Sequence, residues 1–194
     1  MDIKIVQFSE NYLDILFLAG RGCYGLKELS FETKEVKQNF IKKLISNQHE
    51  SILEHCYITI QILNCSRSFM AQITRHRLAS FSVKSQHYTE HLDFDYKDLE
   101  ITNFFIKNDY ISLMEIIRKY YNKFVNLYKI PIHIAREILP NSCLTNIIMT
   151  TNLREWRYII KLRGTSKNTL EMIKFVKLIK SLFIKIIPEV FDNL

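Results

Sequence analysis

Between Cys56 and Ile62 the chain alternates without a break, with Cys56, Ile58, Ile60 and Ile62 on one face and Tyr57, Thr59 and Gln61 on the other. A period of two puts every second side chain on the same side of an extended backbone, so this stretch is a strand with one face in a core. The period then changes at once. Ser66 can cap a helix in which Phe69, Met70 and Ile73 recur at helical spacing, ending near Arg75. Burying both elements takes a sizeable core, and 194 residues, 47% hydrophobic and 24% charged, suit a single domain over 1–194.

The remaining punctuation fits one domain. Glycine and proline are scarce, with Gly20, Gly22 and Gly25 clustered and Pro131, Pro140 and Pro188 isolated, so no flexible linker divides the chain. The N-terminal segment reads as a short strand, 11–19 as a helix running into the glycine cluster, and 33–46 as an amphipathic helix. Serine-rich 80–88 reads as a loop with extended character. Helical spacing predicts a helix over 109–128 and a shorter one from Pro131 to Leu139, where proline suits a first turn. The β-branched run in 144–151 predicts a strand, and 154–162 and 167–187 predict helices broken near Gly164. This succession is an α+β pattern rather than an alternating βαβ one.

Several function classes drop out. The most apolar stretch, 179–190, is interrupted by Lys180, Lys185, Pro188 and Glu189, so no membrane span is expected. The first residues lack the basic, apolar and small-residue succession of a signal peptide, so a cytoplasmic location is expected. Cys23, Cys56, Cys65 and Cys143 form no C-x-x-C pair, which argues against a zinc ribbon or redox motif. Neither glycine-rich nucleotide loop, G-x-G-x-x-G or G-x-x-x-x-G-K, occurs.

The net charge of +7 invites a nucleic-acid reading, but the arginine distribution points elsewhere, and no nucleic-acid partner is expected. Lysine outnumbers arginine 18 to 9, yet seven arginines fall in two windows: Arg67, Arg75 and Arg77, then Arg136, Arg154, Arg157 and Arg163. Arginine offers a planar fork for phosphate or carboxylate that lysine lacks. Buried structural ion pairs are the alternative use.

Three constellations carry chemistry. Arg75-His76-Arg77 leads into Ser80, Ser82, Lys84, Ser85 and His87, a set of cations and hydroxyls suited to cradling a phosphorylated ligand. His49-Glu50-Ser51 and Glu54-His55 form a second block, whose histidine spacing fits neither zinc-protease motif, so no metal is expected. The third runs through Arg136, Pro140, Asn152, Arg154 and Arg163, with Arg136 and Arg163 near helix ends. There an arginine also interacts favourably with the helix dipole, by under about 1 kcal/mol, without any ligand.

In this order the blocks resemble the flavin-dependent thymidylate synthases, also called thymidylate synthase complementing proteins. The signature R-H-R-x-x-S-x-x-x-x-S-x-R is met by Arg75, His76, Arg77, Ser80 and Ser85, with His87 in place of the last arginine. Arg21-x-Cys23-Tyr24, the His49-to-His55 blocks, Gln72, Ala135-Arg136, Leu139-Pro140, Asn152-x-Arg154 and Leu162-Arg163 match around it, over roughly residues 19–191.

The resemblance implies an α/β fold of the α+β type, a central, mainly antiparallel sheet flanked by helices, in a homotetramer with active sites between subunits. It implies FAD as cofactor, dUMP as substrate, methylenetetrahydrofolate as carbon donor and NADPH or NADH as reductant. Ser51, Arg75, His76, Arg77, Asn152 and Arg154 match flavin-contacting positions. Gln72, Arg75, Ser85, His87 and Arg136 match dUMP-contacting positions, and Arg163 the catalytic residue acting on the uracil ring. A cation held near the uracil N3 and its carbonyls would stabilise negative charge there. The chain departs from the family pattern at Val83, His87 and Ile173. An inactive relative that still binds flavin or nucleotide is the alternative.

Overall fold

The computed structural model describes residues 1–23, 25 and 32–194, so Tyr24 lies outside the described residues. Four strands form one sheet: β1 (Asp2–Phe8), β2 (Tyr57–Ser66), β3 (Ala79–Val83) and β4 (Leu144–Asn152), in the order β1-β2-β4-β3. The register is antiparallel. Along β2 and β4, Thr59 meets Thr150 through their hydroxyls at 2.9 Å, and Asn64 N–H reaches Asn146 Oδ1 at 3.0 Å. These pairings run in opposite directions along the two strands. Beyond β3, Lys84 N–H donates to the Asn146 carbonyl at 3.0 Å.

The helices are α1 (Tyr12–Gly22), α2 (Lys34–Ser46), α3 (Arg67–Ile73), α4 (Phe104–Asn122), α5 (Ile132–Ala135), α6 (Leu153–Arg163), α7 (Leu170–Ile186) and α8 (Pro188–Phe191). Short 3-10 turns occupy Glu50–His55 and Arg136–Ile138, and a π-helical turn at Lys123–Leu127 prolongs α4. Among the described residues no helix is long and apolar enough to cross a membrane.

Contacts divide the chain into two compact units, and β2, β3 and β4 each contribute residues to both. The first comprises Met1–Ile62, His76–Phe81 and Ile148–Leu194. Its core takes the apolar face read from the alternation, with Ile58, Ile60 and Ile62 fully buried beside Leu16, Ile41 and Trp156. Trp156 donates its indole N–H to the Ile58 carbonyl at 3.1 Å while its ring packs on Phe183, so its polar atom is satisfied inside the core. Gly20 lies where α1 and α2 approach: a Cβ there would sit 2.7 Å from Leu44 Cδ1 and from Phe40 Cε1. Arg157, 2% exposed, bonds Glu50, Asn193 and the Val190 carbonyl, and ties the C-terminal turn to α6. It is one arginine of the clusters that serves structure.

The second unit comprises Leu63–Arg75 and Ser82–Ile147. Ser66 caps α3 as its spacing predicts, its hydroxyl accepting from Phe69 N–H at 3.0 Å. Phe69, Ile73, Tyr121, Ala135 and Cys143 are buried here.

Two expectations are corrected. The segment read as a loop over 80–88 opens as β3, because pairing with β4 outweighs the weak strand preference of its serines. The helix expected over 109–128 starts at Phe104, since Asn103 caps it by accepting from the N–H groups of Phe105 and Ile106. Elsewhere Thr33 and Thr169 cap α2 and α7, and Gly164 ends α6.

Candidate functional site

Of the residues picked from sequence, Ser51, His76, Arg77, Asn152, Arg154 and Arg163 belong to the first unit, and Gln72, Arg75, Ser85, His87 and Arg136 to the second.

In the first unit, α6 organises the chemistry. Asn152 is its N-cap, with Oδ1 accepting from Glu155 N–H at 2.8 Å, so the whole helix is anchored at the end of β4. Glu155 lies one turn in, and its carboxylate meets His76 Nδ1 at 2.8 Å, both side chains being buried. At the far end of α6, Arg163 Nε–H donates to His76 Nε2 at 3.1 Å. His76 is thus held between the two ends of one helix, and the ring of Tyr158 packs edge-on against it at 6.0 Å. Burial holds the imidazole pKa below its ordinary value; Glu155 opposes that shift and the Arg163 charge adds to it. A neutral ring that accepts from Arg163 at Nε2 must carry its proton at Nδ1, facing the Glu155 carboxylate.

A cleft of about 370 Å³ opens beside this network, lined by Glu50, Glu54, Leu78, Asn152, Arg154, Glu155, Tyr158 and Lys161. Arg154 faces Glu54 across 2.5 Å, and both side chains are about half exposed. Lys161 and Arg157 both approach Glu50, at 3.6 and 3.1 Å. Leu78 is 69% exposed and Tyr158 52%, so the cleft offers an apolar and an aromatic surface beside its cations. That donor set fits part of a flat, anionic ligand such as FAD: rings can lie on Leu78 and Tyr158, and phosphates can meet Arg154 and Lys161. Ser51, in the 3-10 turn, and Arg77 are exposed.

In the second unit, the segment after β3 folds on itself. Ser85 Oγ accepts from His87 N–H at 3.0 Å, and the Ser85 carbonyl accepts from the Thr89 hydroxyl. The His87 ring stacks on His133, with centroids 5.3 Å apart and planes 30° apart. Arg136, three residues beyond His133, is partly exposed and lies 3.7 Å from Glu137. Gln72 is half-buried on α3 and Arg75 is exposed just beyond it.

Sequence reasoning missed Glu155, Lys161 and His133. Asn152-x-x-Glu155 carries the signature of a capping box, in which the glutamate would turn back to the cap. Here it turns to a histidine 79 residues away. No local sequence signal marks that longer-range role.

Comparison with known proteins bears on the whole chain. Residues 4–189 match the family model described as thymidylate synthase complementing protein. The flavin-dependent thymidylate synthase of Clostridium tetani is 29% identical, over 97% of this chain and 84% of that protein. That of Geobacter sulfurreducens is 30% identical, over 91% of this chain and 82% of that protein. The fold is that of the crystallised thymidylate synthase X of Helicobacter pylori with FAD and dUMP, at a TM-score of 0.82 and 22% identity, covering 100% of this chain and 98% of that one.

Proposed function

The chain belongs to the thymidylate synthase complementing protein family, and from that premise we propose that it is a flavin-dependent thymidylate synthase. The reaction is reductive methylation: dUMP, methylenetetrahydrofolate, NADPH or NADH and a proton give dTMP, tetrahydrofolate and the oxidised nicotinamide. The observation that carries this reading is the contact between Arg163 and His76 of the signature, residues 87 positions apart.

In this reading Arg154, Asn152, Ser51, Arg77, Arg75 and His76 hold FAD, with Tyr158 and Leu78 lining the cleft. Bound FAD would supply the two-electron relay from the nicotinamide to the transferred carbon. His76 has both ring nitrogens engaged by Glu155 and Arg163, so it serves the site through ring contact and through the arginine it holds. Arg163 presents a fixed cation to the uracil ring, where it stabilises negative charge gathering on N3 and the carbonyls and so activates the base. Gln72, Arg75, Ser85, His87 and Arg136 bind dUMP, with Ser85, His87 and Arg136 on its phosphate.

The synthase domain of this reading spans 1–194, in a cytoplasmic homotetramer. Support for assembly comes from the second unit, where Phe105, Leu113, Ile116 and Tyr120 leave an apolar stripe on α4 that is half or more exposed. The test is dTMP formation under anaerobic conditions, from purified protein with FAD, dUMP, methylenetetrahydrofolate and NADPH. Product that disappears in Arg163→Ala supports the reading. No product from folded, yellow wild-type protein overturns it in favour of a flavin-binding relative without synthase activity.

A further inference from the structure

We propose that Glu155 is a positioning residue of this site, one that sets the His76 tautomer and through it the aim of the Arg163 guanidinium. The inference rests on the synthase reading only for the consequence in turnover; the relay itself is a matter of three side chains.

A histidine has two ring nitrogens, and in the neutral form one donates and the other accepts. A free imidazole has no reason of its own to keep Nε2 as the acceptor, and a solvent-reachable guanidinium alone fixes it weakly. Glu155 supplies that reason: a carboxylate 2.8 Å from Nδ1 accepts a proton there and fixes the lone pair at Nε2. The lone pair then receives Arg163 Nε–H at 3.1 Å. With the other tautomer, two N–H groups would face each other and Arg163 would lose this restraint. Both ends of the relay stand on α6, since Glu155 occupies its first turn and Arg163 its last residue. The rigid helix therefore fixes the distance between carboxylate and guanidinium, and the imidazole fills it. Glu155 is 7% exposed and His76 4%, so water does not compete for either bond. A buried carboxylate is costly unless it is hydrogen-bonded, and this one is held to a functional signature residue rather than to the helix cap.

The test uses FAD-loaded protein labelled with ¹⁵N in histidine and arginine, with His76 signals assigned from a His76→Gln sample. Wild type should show His76 protonated at Nδ1 alone and an Arg163 Nε–H protected from solvent exchange. In Glu155→Ala the ring should populate both tautomers and the Arg163 Nε–H should lose protection. The same variant should lose about tenfold or more in kcat, while the dUMP dissociation constant, measured by calorimetry, moves by less than about threefold. Glu155→Gln, whose amide oxygen still accepts from Nδ1–H, should keep the tautomer and recover most of kcat, and it covers the case in which the alanine variant fails to fold. The proposal is overturned if Glu155→Ala keeps the Nδ1–H tautomer, if its kcat is unchanged, or if Glu155→Gln scrambles the tautomer. Should wild-type protein make no dTMP, the synthase reading falls, and the tautomer and exchange measurements still decide the relay.

Discussion

Arg163 Nε–H is bonded to His76 Nε2 at 3.1 Å, so the last residue of α6 is held by the middle residue of the Arg75-His76-Arg77 motif. A guanidinium bonded at Nε to a buried imidazole keeps a fixed orientation. Arg163→Ala should lower kcat for dTMP formation by about 10² to 10³-fold, the range for removing a fixed donor aimed at developing negative charge. FAD content should stay near wild type, while the melting temperature falls modestly because the buried His76 Nε2 loses its donor. A variant that turns over normally would separate Arg163 from the chemistry.

Arg154 stands in an ion pair with Glu54 at the edge of the cleft, each side chain about half exposed. A phosphate that binds Arg154 must compete with that carboxylate. Glu54→Gln should therefore tighten FAD binding to apoprotein by about two- to fivefold, the worth of an exposed pair, with the gain shrinking as salt rises. Arg154→Ala should weaken it. Flavin fluorescence titrations at two ionic strengths measure both, and equal affinity in Glu54→Gln and wild type would mean that Arg154 keeps Glu54 while FAD binds.

His87 occupies the place where the family signature carries arginine, and it stacks on His133. A guanidinium offers a phosphate a planar fork of donors that an imidazole lacks. His87→Arg should therefore lower the dUMP dissociation constant by about three- to tenfold, the worth of a charge-assisted fork on a phosphate. Calorimetric titration checks this, and a substitution without effect would place His87 away from the phosphate.

Much of this architecture was readable from local pattern. The Cys56–Ile62 alternation marks the core strand because one face of the sheet is buried and the other is not. Ser66 announces a helix because an orphan N–H must find an acceptor within three residues. What escaped was decided at long range. Nothing local makes 79–83 a strand, since its partner, β4, lies more than sixty residues away. Glu155 sits where a capping box would turn it back to Asn152, but its partner, His76, is 79 residues away in sequence. The order of the functional blocks was plain from the chain, but the partners that tie them, Glu155 on His76 and Glu54 on Arg154, are set only once α6 and the Glu50–His55 turn are folded.

Acid stability follows from two buried imidazoles. His76 and His91 both have pKa values held below the ordinary 6.5, in each case mainly by burial. Below pH 6.5 the unfolded chain takes up protons on these rings and the folded chain does not, so unfolding becomes progressively more favourable as pH falls. Above that value neither state binds the proton and the effect vanishes. The melting temperature should thus be level with respect to these two groups above about pH 7 and drop as pH falls from 6.5 toward their native values. His91→Gln should flatten the acid limb without touching the Arg163 relay, because His91 lies in the second unit and takes no part in it. Melting curves at half-unit pH steps compare the slopes, and identical slopes for variant and wild type between pH 6.5 and 5 would show that His91 protonates as easily in the folded protein as in the unfolded one.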